Sequence, residues 1–203
     1  ALLPMFIHSY HRLGVLAPND NYHCRPLDKQ RQGFVLAEQG AAVILQRVNR
    51  ISPGDIELIN TATACEAHHL IHASPTMSAL RHIAAKLFAH RNIDGIHPHA
   101  PGTTENDATE MKVYADALAQ QQHLPGVYAN KGALGHSLGA AGLTSLVLAT
   151  LCAKTNRLPP MPWLKNPIDS PFPLTAAPRT FTTQAILATG FAGHLAGAVI
   201  HKH

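Results

Sequence analysis

Residues 130–142 read NKGALGHSLGAAG. A lysine and a histidine five positions later share a glycine-rich loop, and a run of small residues follows. That run opens the longest apolar tract of the chain, 138–153, broken only by Ser and Thr. The loop KGALGH therefore feeds a helix, and GAAG lets that helix approach a neighbour closely. At about 1.5 Å per residue the tract falls short of a bilayer, so it is expected as a buried core helix and not as a membrane span.

Working outward, GVYAN before the loop reads as a short strand. Residues 107–120 read as a helix with Ala108, Met111, Ala115 and Leu118 on one side, and HPHAPGTTEND (97–107) as a polar loop. A short strand is expected at 94–96, and 78–90 places Leu80, Ile83, Ala84, Leu87 and Phe88 at helical spacing. SPGD at 52–55 is a turn, and GFVLAEQGAAVILQRV (33–48) ends in a β-branched run expected as a buried strand. Downstream, the proline-rich 157–178 should wrap the surface, and 184–202 gives two strands around a glycine-rich turn. The order of elements is α/β without repeats, and 203 residues suit one domain over 1–203.

Composition narrows the function. Hydrophobic residues at 46% and charged residues at 14% describe a globular chain rather than a disordered one. The net charge of +4 is spread without a Lys/Arg run or interleaved aromatics, which argues against nucleic acid. Cys24, Cys65 and Cys152 show no paired spacing, and ALLPMFIHSYHRLG lacks the features of a signal peptide. A reducing, cytoplasmic setting is the expectation. The absence of a starting Met leaves the chain either a fragment or a natural half-size protein. Among the 15 histidines, His68, His69 and His72 invite a metal reading, but spacing supplies no third ligand, so no metal is assigned.

Three glycine-rich loops carry groups suited to chemistry: His99 in HAPGTTEND, Lys131 and His136 in KGALGH, and Phe191 in TGFAGH. Loops at strand ends are where α/β sheets place their sites. With RPLDKQRQGFVLAEQGA, HAPGTTENDATE, NKGALGHSLGAAG, RLPP and GFAGH in that order, the chain resembles the β-ketoacyl-acyl-carrier-protein synthases, decarboxylating condensing enzymes of the thiolase superfamily.

The resemblance implies the C-terminal half of a thiolase-like fold, a mixed five-stranded sheet with packed helices. It implies that His99 and His136 bind the malonyl thioester carbonyl as neutral donors and that Lys131 supports their electrostatics. The backbone N–H of Phe191 would form half of a second oxyanion hole. Gly190 and Phe191 would gate the acyl chain, and Thr103 would meet the pantetheine arm. His136, on a loop entering a helix, is expected to be kept neutral by the positive end of the helix dipole. No cofactor is implied. The partners implied are an acyl carrier protein or acyl-CoA thioesters, and a homo- or heterodimeric arrangement.

The resemblance also shows departures. The family's nucleophilic cysteine lies in a segment before those matched here. Cys65, in TATACEAHH, falls by order outside that role. Pro101 stands where a second threonine is usual, Ala192 stands in place of a glycine, Thr189 replaces a Phe, and Ser145 replaces a glutamate near the lysine. Two functions follow: a synthase half that needs a nucleophile-bearing partner, or a non-catalytic, chain-length-factor-like partner of an active synthase. Either leaves a large apolar face to be covered.

Overall fold

The computed structural model describes residues 2–18, 24–69, 72, 74–174 and 180–203. Its centre is a sheet of β1 (Ile56–Cys65), β2 (Gly95–His97), β3 (Gly126–Val127), β4 (Thr183–Thr189) and β5 (His194–Lys202). The strands pair in the order β1-β5-β4-β2-β3. β5 pairs antiparallel with both β1 and β4, while β4, β2 and β3 are mutually parallel. The mixed five-stranded sheet is the expected one, and 184–202 forms the expected strand pair.

Side-chain alternation along β4 separates two faces. Ala185 and Leu187 pack with Val199 against α2 (Ser78–Phe88) and α3 (Asn106–Ala117). Ile186 and Ile200 pack against Ala149 of α5 (Ala141–Thr155) on the other face. α2 buries the five residues named from its periodicity. The Glu66 carboxylate accepts hydrogen bonds from Ser78 Oγ (2.6 Å) and the Ala79 N–H (2.7 Å), supplying the acceptor that a helix N-terminus requires.

Four sequence expectations are corrected. Residues 33–48 form no strand: they make only isolated bridges at Phe34 and Leu36, and Ile44 is 97% exposed. Among the described residues no neighbouring strand satisfies the backbone groups of that run. KGALGH is not simply a loop, since α4 (Lys131–Leu134) forms one helical turn within it. The buried face of α3 is Asn106, Asp107, Glu110, Met111, Val113 and Tyr114, whereas Ala108 is exposed.

The apolar helix is the fourth. A 3-10 turn (Leu138–Ala140) precedes α5, whose buried residues form a narrow stripe of Ala141, Ser145, Ala149, Cys152 and Ala153. The tract expected as a buried core helix is thus buried on one side only, and Leu151 is half exposed.

β1 and a short N-terminal helix, α1 (Pro4–Arg12), were not expected from the sequence. A register shift between Leu58 and Asn60 explains the former. Ile56 and Leu58 face α5, but beyond the shift Ala62 and Ala64 face α2, so simple alternation is lost. The proline-rich stretch lacks regular structure as expected, but it is anchored by buried Trp163, Ile168, Phe172 and Leu174. Its residues 175–178 lie outside the described residues.

Candidate active site

β2 delivers the first loop. Beyond His97 the chain turns through Pro98 into His99 and Ala100, and their backbone N–H groups donate to the two Glu110 carboxylate oxygens at 2.7 and 2.8 Å. Asn106 and Tyr114 donate to the same carboxylate. One turn earlier on α3, Asp107 accepts from the Gly102 N–H (3.1 Å) and the Leu27 N–H (2.8 Å). Arg31 ties the loop from the other side, donating to the carbonyls of Thr103 and Thr104, each at 2.9 Å. Two buried carboxylates on one helix turn thus fix the backbone that carries His99.

α4 delivers the second. Lys131 is buried, and its Nζ donates to the His99 carbonyl. Burial lowers its pKa to about 8, opposed by the nearby Glu110. Asn130, just before it, donates to Ser145 Oγ at 2.9 Å, so the serine at the family's glutamate position serves Asn130. Gly132 faces the Trp163 indole so closely that a Cβ there would lie 2.1 Å from a ring carbon.

His136 follows α4. Its Nδ1 accepts the Leu138 N–H at 3.2 Å, which leaves Nε2 to carry the proton of the neutral ring. Burial pushes its pKa down to about 3, with the Lys131 charge acting in the same direction. His99 is likewise held well below its ordinary value by burial first, then by Lys131 and His136. Burial and the lysine charge lead, and the Leu138 N–H at the start of the 3-10 turn before α5 also faces the His136 ring.

The structure brings His99, His136 and Lys131 together. The two imidazoles meet edge to face with centroids 5.3 Å apart and line a cavity of about 440 Å³. Tyr10, Phe34, Leu138 and Phe191 form its apolar side, with Thr103 and Asn106 on the polar side. Phe34 packs edge-on against His136 at 4.8 Å, and Tyr10 bridges Phe34 to Phe191, stacking on the latter at 5.8 Å. Two neutral imidazoles facing one cavity can donate to a single oxygen placed between them.

Gly190 and Phe191 lie at the turn between β4 and β5, on the cavity wall. Ala192 holds φ 58° there, and Gly193 could bear no side chain, since a Cβ would fall 2.0 Å from the Glu66 carbonyl oxygen. Pro101 also lines the cavity. Cys65 is exposed at the end of β1, where its Sγ lies 3.5 Å from the Ala192 carbonyl, outside the cavity lining. His68, His69 and His72 reach the cavity, with His72 Nδ1 3.6 Å from a Glu105 carboxylate oxygen. Among the described residues no cluster of three or more His, Cys, Asp or Glu side chains is arranged to hold a metal.

Sequence reasoning missed Asp107, Glu110, Asn130 and Arg31. Asp107, Glu110 and Tyr114 fall on one helix face by spacing, but spacing alone does not tell buried carboxylates from solvated ones.

The family model for the C-terminal domain of beta-ketoacyl synthases matches residues 57–165. The chain belongs to that family. It is 29% identical over 169 residues to the 3-oxoacyl-[acyl-carrier-protein] synthase 2 of Mycobacterium leprae, covering 78% of this chain and 40% of that protein. The ketoacyl synthase alpha subunit of the tetracenomycin polyketide synthase of Streptomyces glaucescens is 29% identical over 202 residues, covering 92% and 47%. This chain thus spans less than half the length of either relative.

Among solved structures, the ishigamide ketosynthase/chain length factor superposes with a TM-score of 0.77 at 21% identity, covering 100% of this chain and 52% of that one. A ketosynthase solved in complex with its acyl-carrier protein gives 0.78 at 21%, covering 100% and 54%. The fold is that of half a ketosynthase, as expected from the sequence.

Proposed function

We propose that this chain supplies the decarboxylating half of a β-ketoacyl synthase site. A malonyl thioester would place its carbonyl oxygen between His99 and His136. The bond from the malonyl Cα to its carboxylate carbon breaks, carbon dioxide leaves, and the electron pair remains as an enolate whose oxygen the two neutral N–H groups stabilise. Burial, with the charge of Lys131 held against the His99 carbonyl acting in the same direction, keeps both rings unprotonated. The enolate carbon then attacks an acyl thioester on a cysteine supplied by a nucleophile-bearing partner, and the thiolate is released. Thr103 would meet the arm of the carrier protein or coenzyme A, and Gly190 and Phe191 would gate the acyl chain. The reading places this chemistry in the cytoplasm.

The observation that carries this reading is the convergence of two buried, neutral imidazoles on one cavity beside a buried lysine. A second reading, a non-catalytic partner resembling a chain length factor, is favoured by Pro101 and Ala192 at the site loops and by the neighbour of that description. Incubation with malonyl thioester and a cysteine-bearing half separates the two. Synthase function predicts release of carbon dioxide that falls about 10²–10³-fold in His136→Ala, the loss of about 2.7–4 kcal/mol of oxyanion stabilisation. Turnover unchanged by His136→Ala supports the second reading. The chain alone should form no acyl-enzyme, and stoichiometric acylation at Cys65 in intact mass spectra would place the nucleophile there instead.

A further inference from the structure

Phe191 sits on the cavity wall, in the turn between β4 and β5, and the backbone of that turn is pinned from two sides. The Gly190 N–H donates to the His194 carbonyl at 2.7 Å, and the Gly193 carbonyl accepts the Glu66 N–H at 2.8 Å. The Glu66 carbonyl fills the space beside Gly193. Ala192, at φ 58°, lacks the backbone freedom that glycine would have there. Swinging the turn away as a unit would break both hydrogen bonds. Rotation of the Phe191 side chain between staggered wells is therefore the cheaper way for this wall to open.

One ring opposes that rotation. Tyr10 stacks on Phe191 with an interplanar angle of 22° and centroids 5.8 Å apart, and among the described residues no other aromatic ring lies against Phe191. α1 buries none of its residues, yet Tyr10 is half-buried because it lines the cavity. The chain following α1 fixes its place. The Phe34 N–H donates to the Val15 carbonyl and the Ala17 N–H to the Phe34 carbonyl, both at 3.0 Å. Tyr10 then meets Phe34 edge-on at 6.1 Å, and Phe34 meets His136. An unbroken row of rings thus runs from Phe191 to the His136 imidazole along one wall.

We propose that Tyr10 is the residue that sets acyl length at this site, by latching Phe191 so that short acyl thioesters are preferred. An acyl chain that passes Phe191 must turn that ring aside and lose the stack. One too short to reach it need not. That the ligands are acyl thioesters rests on the half-site reading above; the latch itself rests on the stacked rings and the pinned turn.

The test measures binding of the acetyl, octanoyl and malonyl thioesters of N-acetylcysteamine to the whole chain by calorimetry, beside NMR of ring-labelled phenylalanine and tyrosine. The parent should show a ring contact between Tyr10 and Phe191 and bind the acetyl thioester more tightly than the octanoyl one. Tyr10→Ala should raise the octanoyl-to-acetyl affinity ratio about tenfold, the factor that a stacked aromatic pair is worth. Phe191→Leu removes the same stack from the other ring and should raise the ratio likewise. Tyr10→Phe keeps the stack and should keep the parental ratio. Three results overturn the proposal: no ring contact in the parent, a parental ratio in both Tyr10→Ala and Phe191→Leu, or Tyr10→Phe as permissive as Tyr10→Ala. Malonyl binding that weakens in His136→Ala supports the half-site reading on its own, so a parental ratio beside it refutes the latch alone. If none of the three thioesters binds, the half-site reading fails and length selection fails with it.

Discussion

Non-glycine residues hold positive φ in all three loops of the site: Ala100 at 27°, Leu138 at 53° and Ala192 at 58°. Left-handed backbone costs an L-residue about 1–3 kcal/mol unless its surroundings enforce it. At 100 and 192 the family resemblance places glycine, for which that region is free. Ala192→Gly is therefore expected to stabilise the chain by about 1 kcal/mol after the extra unfolded-state freedom of glycine is offset. A denaturant midpoint that falls would show that the turn tolerates alanine without strain. His99, Lys131 and His136 were legible because each sits in a short loop whose residues name it. Glu110 and Asp107 were not, since a fully buried carboxylate is intelligible only once its N–H donors, some from residues distant in sequence, are known.

At the scale of elements, α4 shows how a four-residue helix can be held firmly. Trp163, from the proline-rich stretch, lies against Gly132, and its Nε1 donates to the Pro26 carbonyl at 3.2 Å. Lys131 is thus positioned by a contact from a residue distant in sequence, and the glycine beside it is required by the indole. Gly132→Ala should force Trp163 out and destabilise the chain by about 1–3 kcal/mol, as overpacking does. Trp163 is the only tryptophan, so its fluorescence reports the change directly. An emission maximum equal to that of the parent would mean the indole had not moved. Periodicity found α2 because its apolar face alone is buried, against the sheet and α3. It failed for β1, whose register shift exchanges its faces, and for 33–48, whose strand character finds no sheet within the chain.

For the molecule as a whole, the buried histidines set the response to acid. Burial lowers His97 to about 4 and His136 to about 3, with His99 also well below its ordinary value. Such groups take up protons in the unfolded chain near pH 6.5 but not in the folded one, so their contribution to stability is lost as pH falls from about 6.5 toward 4. Asp107, raised by burial to about 7, and Glu110, also raised, act oppositely. The folded Asp107 keeps a proton that the unfolded chain has released, so the stability gained from it grows as the pH falls below about 7. The three histidines outweigh it, so stability should fall with acid in the parent chain. Replacing both site histidines leaves His97 alone against Asp107. Unfolding free energies measured between about pH 6.5 and 5 should therefore fall with acid in the parent chain and fall far less in His99→Ala/His136→Ala. If the double variant keeps the parental slope, the imidazoles are already charged when folded, and neutral donation to a thioester oxygen loses its basis.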